Sequence, residues 1–331
     1  MRSGKLGRVK VARGFCYKPR MSIGRTTGPQ AVPDYINYDL WCGPAPLTPP
    51  RRNNPKFGPV HYDWHWFWAY GGGDLGNQGI HQVDICRWLL GEPKLAPFVL
   101  SVGGRLGYVD DAETPNTMVL YQGYAKAPLV FEVRGLPKNK DAQAAGWEKN
   151  MDAYRDVRIG CVIECEGGSV VVPSYTDALV YDKDGKLLRK FETKDRELAG
   201  RLGLAAGSGD HHGNWIAAIR SRKPSLLTAP ILEGHISSAL CHTANISYRV
   251  GTRRQPGEIK EALQDNKLLA EAYDRMAAHL DANGVDVTKD LVTLGVPLRL
   301  DPNKERFIGN DAANRLLKRE YRPPFVVPEE V

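Results

Sequence analysis

The sequence predicts an α+β fold without a Rossmann domain, built on an open, mainly antiparallel β-sheet with helices on one face. Short strand-like segments recur between residues 98 and 172 without intervening helices, which is typical of antiparallel sheets. A hairpin follows, DALVYDKDGKLLRKFE, with Asp184-Gly185 at its turn. Helical segments dominate after this hairpin, and strands followed by helices favour segregated layers over alternating βαβ units.

The individual elements follow from local patterns. The segment LGRVKVARGFCY alternates apolar and polar residues and predicts the first strand. A loop rich in glycine and proline follows at residues 18–59, and loops of this length in a compact domain are usually functional. A helix at about residues 75–90 is expected to end at Gly91. Further strands are expected at 98–104, 117–121, 128–134, 157–165 and 169–172, and further helices at 212–222, 229–250 and 266–283.

We divide the chain into an α+β domain at residues 1–285 and a C-terminal extension at residues 286–331. The extension ends in a proline-rich stretch and contains one short helix capped near Asn310. It is therefore expected to wrap around the surface of the domain.

The composition is that of an ordinary globular protein of 331 residues, enough for one or two domains of about 150 residues each. No apolar run approaches the roughly 18 residues that a membrane span requires, and the basic start lacks the apolar core of a secretory signal. The net charge of +7 is scattered, without a nucleic-acid-binding motif. We therefore expect neither a membrane nor a nucleic acid as a partner.

The six cysteines are expected to be free and buried. Only Cys161 and Cys165 are close together, in a strand-like segment where residues four apart share a face. A structural zinc site would require a second pair at similar spacing. Free cysteines indicate a reducing compartment and favour the cytoplasm; the periplasm is the alternative if the chain is truncated at its N-terminus.

The stretch HYDWHWFWAYGGGDLGNQGIHQVDICRWLLG, residues 61–91, carries the strongest functional signal. Gly71, Gly73 and Gly76 match GxGxxG, the dinucleotide fingerprint, which requires a preceding buried strand and an acidic residue after the next strand. The preceding segment is polar, and the next expected strand ends in glycines. The run is therefore predicted to open a helix, with Asp74 as its N-cap.

The helix after the glycine run presents a polar face. Asn77, His81, Asp84 and Trp88 follow helical spacing, so they share one side of the helix. Because imidazole exchanges a proton near pH 7, His81 is the candidate base or proton relay, with Asn77 beside it and Asp84 orienting its ring. In the alternative interpretation, His81 and Asp84 only pair with each other to satisfy their polar atoms.

The aromatic segment HYDWHWFW allows two kinds of site. In an extended conformation, His61, Asp63 and His65 would point to one side and Trp64 and Trp66 to the other. Indole rings suit the apolar faces of sugars, so Trp64, Trp66 and His65 are predicted to bind substrate, with an aromatic core strand as the alternative. His61, Asp63 and His65 are also weak candidates for ligands of a divalent metal.

Two further pairs of residues are predicted to contact a substrate. Lys18 and Arg20, on the loop after the first strand, could bind a sugar hydroxyl or carboxylate, or else belong to a solvated loop. His211 and His212 stand at the start of a predicted helix, where one residue caps the helix and another could reach a ligand.

Several motifs together resemble the glucose-fructose oxidoreductase and inositol dehydrogenase family (Gfo/Idh/MocA). GGGDLGNQGIHQVDICRWLLG is similar to the active-site helix of that family, with Asn77, His81 and Asp84 at its functional positions. Further motifs, which span nearly the entire chain, resemble a bacterial branch of predicted dehydrogenases. They are CYKPR, SIG, YDLWCGPAP, HYDWHWFW, RSRKPSLLTAPILEGHISSALCHTANISYRVG and REYRPPFVVP.

The resemblance implies the substrate-binding half of an NAD(P)-dependent sugar or glycoside oxidoreductase. The Rossmann domain with which family members begin is expected to be missing here, and Lys18 does not take the place of the family's catalytic lysine. The resemblance also implies a homo-oligomer formed through the exposed face of the sheet.

Three functions remain open on this basis. A dehydrogenase would obtain NAD(P) from a separate Rossmann subunit, because this chain alone is expected to hold no cofactor. A Rossmann-free lyase or glycoside hydrolase would act on keto-glycosides with His81 as base, assisted by a divalent metal or a lysine. A non-catalytic sugar-binding or assembly subunit is the third alternative.

Overall fold

The computed structural model describes residues 4–52, 54, 56, 58–192, 211–289 and 291–328 of the chain. The strands in these ranges are β1 Val9–Tyr17, β2 Phe98–Gly104, β3 Thr117–Gln122, β4 Leu129–Arg134, β5 Ile159–Cys165, β6 Gly168–Val172, β7 Asp177–Asp182, β8 Leu187–Glu192, β9 Thr252–Arg254, β10 Val292–Leu294, β11 Leu298–Asp301 and β12 Arg306–Phe307. The α-helices are α1 Tyr38–Cys42, α2 Ile80–Leu90, α3 Lys140–Ala145, α4 His211–Ser221, α5 Ile231–Arg249, α6 Pro256–Leu263, α7 Lys267–Ala282 and α8 Asp311–Arg315. Among the helices so described, none is long and apolar enough to cross a membrane.

The strands form one open sheet in the order β12-β11-β2-β3-β4-β1-β5-β6-β7-β8, with β10 beside β2 and β9 beside β10. Strand β1 runs parallel to β4, with Ala12 opposite Leu129. All other pairings between these strands are antiparallel. The predicted mainly antiparallel open sheet is confirmed.

The hairpin of β7 and β8 forms where the sequence predicts it. Gly185 adopts a φ of 79°, a left-handed conformation that glycine reaches without steric cost. The carboxylate of Asp182 accepts the backbone N–H groups of Asp184 and Lys186 at 3.0 and 2.9 Å. Turn chemistry of this kind sets the register of the two strands.

The helices differ from the expected arrangement, because they cover both faces of the sheet. Helices α2 and α5 pack on the face that carries Ala12, Leu120 and Phe131. Helices α6 and α7 pack on the opposite face, against alternate residues such as Val119 and Val130. All six residues of β4 are buried, so this part of the sheet requires cover on both sides.

The segment after residue 285 contributes to the sheet as well as running over the surface. Strands β10 and β11 both pair with β2. Further on, Arg322 holds the long loop: its guanidinium pairs with the Asp39 carboxylate at 2.6 Å and donates to the Gly43 and Ala45 carbonyls. The division into two units at residue 285 stays a prediction.

All six cysteines are buried and none forms a disulfide bond in the described part of the chain, as expected. Cys161 and Cys165 lie on the same face of β5, in the core that α2 covers. Burial raises the pKa of the Cys161 thiol well above its usual value, which disfavours the thiolate form.

A buried charged cluster lies beneath α7. Glu132 on β4 accepts from Arg275 of α7 at 2.5 Å and from Arg134 at 3.3 Å, and Arg134 also pairs with Asp152. His279 is packed beside this cluster, and neither of its ring nitrogens has a hydrogen-bond partner among the described residues. Burial, and then the nearby Arg134 guanidinium, lower the pKa of His279 to about 3, although Asp152 lies 3.8 Å away.

His279 should make the protein less stable in mild acid. An unfolded chain binds a proton at histidine near pH 6.5, whereas folded His279 resists protonation down to about pH 3. The free energy of unfolding therefore falls as the pH drops from about 6.5 towards 3, by up to about 1.4 kcal/mol per pH unit. Urea unfolding at several pH values measures this dependence. The free energy of unfolding of His279→Leu should fall less steeply as the pH is lowered.

The exposed His212 provides the matched control for this experiment, because it is a histidine at the surface instead of in the core. His212→Gln should keep the pH slope of the unaltered protein. An unchanged slope in His279→Leu would contradict the assignment.

Candidate functional site

The site helix begins with one turn of π-helix. Leu75–Gly79 has π-helical geometry and continues without a break into α2. Helix α2 ends at Gly91, whose φ of 70° is left-handed, so the predicted end of the helix is confirmed. Single π-turns within α-helices occur frequently at functional sites.

The glycine run allows the chain to pack closely on its own neighbours. A Cβ on Gly71 would lie 2.5 Å from the His65 carbonyl oxygen, and one on Gly73 would lie 2.8 Å from the Thr114 Cβ. The carbonyl of Gly72 is already bonded to Asn245 of α5 at 2.9 Å. These contacts do not fit a cradle for a dinucleotide, which requires the glycine backbone to face the pyrophosphate.

A buried ion pair holds the start of this helix. Arg20, just after β1, binds the Asp74 carboxylate through Nε at 2.9 Å and Nη2 at 2.6 Å. Its guanidinium also lies over the ring of Trp66 and donates to the Tyr62 hydroxyl at 3.2 Å. Burial opposes the charge of Arg20, but Asp74 more than compensates and raises the pKa of Arg20.

This ion pair changes two sequence-based interpretations. Asp74 makes no side-chain capping bond, because its carboxylate faces Arg20 instead of the backbone N–H groups of the next turn. Arg20 was expected to contact a sugar, but its guanidinium is engaged by Asp74 and Tyr62. We therefore assign Arg20 a positioning role.

Removing the charge of Asp74 should destabilise the fold strongly. Asp74→Asn leaves the Arg20 cation buried without a counter-charge, and breaking a buried ion pair on one side typically costs about 3–5 kcal/mol. We expect a loss of this size in the free energy of unfolding, measured with denaturant at neutral pH.

The exposed pair of Arg8 with Glu166 is the matched control. Glu166→Gln should change stability little, because exposed ion pairs are screened by solvent. Equal effects of Asp74→Asn and Glu166→Gln would refute a special role for the buried pair.

A strip of polar side chains lies along the first turns of the helix, and we call Lys18, Gln78, His81, Gln82 and Tyr175 the α2 site. The Lys18 ammonium donates to the Gln78 side-chain oxygen at 2.9 Å. The amide groups of Gln78 and Gln82 both donate to the Tyr175 hydroxyl. The strip therefore connects the residue that follows β1, the helix with its π-turn, and the turn between β6 and β7.

His81 is the exposed histidine of this strip. Its ring meets the ring of Tyr175 edge to face, with the two centroids 5.3 Å apart and the planes at 68°. Asn77 lies in the π-turn and is partly exposed. An exposed imidazole beside a tyrosine can exchange a proton with a bound hydroxyl group.

Asp84 has other partners than the expected one. Its Oδ1 accepts from the Ser237 hydroxyl at 2.5 Å and from the Arg87 guanidinium at 3.4 Å. Ser237 belongs to α5, so these bonds join the two helices on this face of the sheet. Asp84 thus fixes α2 against α5 in the described contacts, rather than orienting His81.

The aromatic segment is folded, not extended, which changes the predicted roles of its side chains. Tyr62 has a φ of 65°, and Asp63–Trp66 forms a turn of 3-10 helix. Trp64 stacks on His65 with the ring centroids 3.8 Å apart. Trp66 is buried under Arg20, so it cannot form a sugar platform together with Trp64 in this conformation.

The predicted metal ligands do not converge. Asp63 is buried and accepts from the Asn54 amide at 3.0 Å. The Nδ1 atom of His65 is bonded to the Tyr62 carbonyl oxygen, and burial lowers the pKa of His65. His61 is exposed at the start of the turn. Across the described ranges, no group of three or more His, Cys, Asp or Glu residues is arranged to hold a metal ion.

The histidines at the start of α4 are not joined to the α2 site by the described contacts. His212 is exposed. The side chain of His211 lies outside the described residues. Helix α4 packs on the turn Pro224–Leu226, where Asn214 donates to the Leu226 carbonyl at 2.8 Å. A substrate contact from His211 or His212 stays a prediction.

Sequence reasoning missed three residues of the α2 site. Gln78 and Gln82 lie inside the motif that carries His81 and are one residue away from the positions that were selected. Tyr175 reaches the site from the segment PSYT, 94 residues after His81 in the chain, and a side chain that is 59% exposed leaves no pattern in the sequence.

Comparison with protein families gives a match for the N-terminal third of this chain. Residues 5–123 match the family model GFO_IDH_MocA_C2, described as the oxidoreductase family, C-terminal alpha/beta domain. The matched part contains Lys18, the glycine run and His81. The resemblance is confirmed over this part of the chain: residues 5–123 are similar to the C-terminal alpha/beta domain of the Gfo/Idh/MocA oxidoreductase family.

Several solved oxidoreductases share a distant likeness. The WlbA dehydrogenase from Chromobacterium violaceum, solved with NADH and UDP-GlcNAcA, is 16% identical with a TM-score of 0.42, covering 75% of this chain and 55% of that one. An oxidoreductase from Agrobacterium radiobacter, solved with NAD+, L-tartaric acid and magnesium, is 13% identical with a TM-score of 0.36, covering 73% and 55%. One from Thermotoga maritima is 11% identical with a TM-score of 0.40, covering 74% and 53%.

This chain therefore spans little more than half the length of those proteins. Likenesses this distant carry no conclusion about ligands or functional residues. A comparison with curated proteins gave no match.

Proposed function

We propose that the chain is the substrate-binding module of a sugar or glycoside oxidoreductase, with His81 as the base or proton relay. The position of His81 carries the proposal. It is exposed, lies within the family-matched part of the chain, and contacts the ring of Tyr175. The Tyr175 hydroxyl accepts from Gln78, which in turn binds the Lys18 ammonium.

The hydrogen bonds of Tyr175 support a role in binding a hydroxyl group. A phenol oxygen has two acceptor positions and one proton to donate. Gln78 and Gln82 occupy the acceptor positions, so the Tyr175 proton is directed away from the helix. Because Tyr175 is exposed, that proton is available to a ligand hydroxyl lying next to His81.

Lys18 and His81 complete the chemistry of the site. Oxidation of an alcohol requires removal of the hydroxyl proton, and a neutral imidazole accepts a proton near pH 7. The Lys18 ammonium, which donates to Gln78, adds positive charge that stabilises the negative charge developing on the substrate oxygen as its proton leaves. Asn77, partly exposed in the π-turn, offers an amide for a further ligand hydroxyl.

The hydride acceptor is proposed to come from a separate module. The described glycine run is packed on His65 and Thr114 and does not fit a dinucleotide. A Rossmann subunit or domain that binds NAD(P) would therefore have to face the α2 site. Lyase or hydrolase chemistry, metal assistance, a purely sugar-binding role and a homo-oligomer stay predictions, because no described contact favours any of them.

Loss of the His81 imidazole should impair catalysis while leaving the fold intact. In the assembled enzyme, with its NAD(P)-binding module, we expect His81→Ala to reduce kcat by about 10²–10⁴-fold, the usual contribution of a general base. KM should change much less, since Tyr175 and Lys18 still bind the substrate. NADH formation from a panel of sugars and glycosides measures both constants.

The exposed His235, which pairs with Glu305 and has no described contact with the α2 site, supplies the control, and His235→Ala should keep the unaltered kcat. Tyr175→Phe should mainly raise KM. Identical kcat values for the His81→Ala and His235→Ala proteins would show that His81 is not the base.

A further inference from the structure

A second polar centre lies away from the α2 site, at Arg52 in the long loop. Arg52 is 1% exposed, and none of its three guanidinium nitrogens has a hydrogen-bond partner among the described residues. Burial lowers the pKa of Arg52, which reflects the cost of holding this charge away from water. A buried charge without a hydrogen-bonded partner is costly and requires an explanation.

Aromatic rings compensate the charge only in part. The Arg52 guanidinium carbon lies 5.3 Å from the ring centroid of Trp41, 5.7 Å from that of Phe67 and 5.5 Å from that of Tyr70. Cation–π contacts attract the charge but accept none of the five N–H donors in a useful geometry. Tyr38, Tyr70 and the Asp63 carboxylate also favour the charge of Arg52, but no described residue accepts a hydrogen bond of normal geometry from its guanidinium.

A cavity of about 360 Å³ adjoins this group, and we call it the Arg52 cavity. Its walls are residues 48–52, Phe67, Tyr70, Asp111 and Glu113. This volume lies within the range of about 300–1,000 Å³ that is usual for small-ligand pockets. The cavity therefore has room for a compact ligand beside the unpartnered cation.

The two acids of the cavity do not neutralise Arg52. Asp111 accepts the backbone N–H of Thr26 at 2.8 Å, and Glu113 accepts that of Trp68 at 2.8 Å. Neither carboxylate forms an ion pair with Arg52 in the described part of the chain. Their remaining acceptor capacity suits ligand hydroxyl groups, which donate hydrogen bonds.

We propose that the Arg52 cavity binds a polyhydroxy oxyanion, either a sugar acid or a sugar phosphate. The guanidinium fork matches the two oxygens of a carboxylate or phosphate. Phe67 and Tyr70 provide apolar surface for a sugar face, and Asp111 and Glu113 accept from its hydroxyls. Because Arg52 is closed to solvent, the side chains around it must move when the oxyanion enters. The site uses no residue of the α2 site, so it stands independently of the proposed function.

The test compares sugars that carry an acidic group with an uncharged sugar and with a free oxyanion. The full chain is titrated calorimetrically with glucuronate, glucose 6-phosphate, inorganic phosphate and glucose. The results show whether the site prefers a carboxylate or a phosphate, and whether that group must be attached to a sugar. We expect at least one of the two charged sugars to bind, with glucose and inorganic phosphate binding about tenfold or more weakly. Arg52→Gln should weaken the charged sugar about tenfold or more, because it removes the charged donor.

Arg220→Gln is the matched control, since Arg220 is exposed on α4 and is not among the walls of the cavity. It should retain the affinity of the unaltered protein. If Arg52→Gln fails to fold, hydrogen exchange of the unaltered chain decides: a bound charged sugar must slow exchange in residues 44–52 and 67–70. No binding of either charged sugar, equal weakening by Arg220→Gln and Arg52→Gln, or protection confined to other segments overturns the proposal.

Discussion

The buried ion pair of Arg20 with Asp74 is the constraint on which the candidate site depends. It joins the end of the central strand β1 to the residue that precedes the π-turn, with both side chains removed from water. Because Lys18 stands two residues before Arg20, and Gln78 four residues after Asp74, the same pair brings the Lys18 ammonium to the Gln78 amide. A buried pair of this kind tolerates little displacement, since each charge has lost its water.

Close packing around the pair extends the constraint to the whole helix. Gly71 and Gly73 leave room for the backbone of His65 and for Thr114, so the chain turns sharply into the helix. On the sheet side, a Cβ on Gly14 of β1 would lie 2.5 Å from the ring of Phe131. The Phe131 side chain therefore lies across β1, beneath the helix. Ser237 and Arg87 then hold Asp84, which fixes α2 against α5. His81 is therefore exposed on a helix that is fixed at its start by Asp74, on its sheet side by packing, and against α5 by Asp84.

The sequence predicts those parts of the fold that depend on local chemistry. Strand β2 has the expected bounds, the Asp184-Gly185 turn lies where its composition indicates, and α2 ends at Gly91. Each of these features is set by neighbouring residues, through side-chain alternation, turn geometry or helix termination. The same holds for His81, which stands in a motif within one continuous segment.

Features that depend on distant partners could not be predicted in this way. Asp74 has the pattern of a helix cap, yet Arg20, 54 residues earlier, binds its carboxylate instead. The positive φ of Tyr62 breaks the alternation of the aromatic segment and buries Trp66 under Arg20. Tyr175 enters the α2 site only because β6 and β7 place their connecting turn beside the helix.

A crystal structure of the chain grown with an uncharged sugar, glucose or methyl glucoside, tests the central claim most directly. If the α2 site binds substrate hydroxyls, a sugar hydroxyl will lie within hydrogen-bond distance of both the His81 ring and the Tyr175 oxygen. A sugar bound only elsewhere, for example against Trp64 or in the Arg52 cavity, with the surface between His81 and Tyr175 unoccupied, would contradict this account.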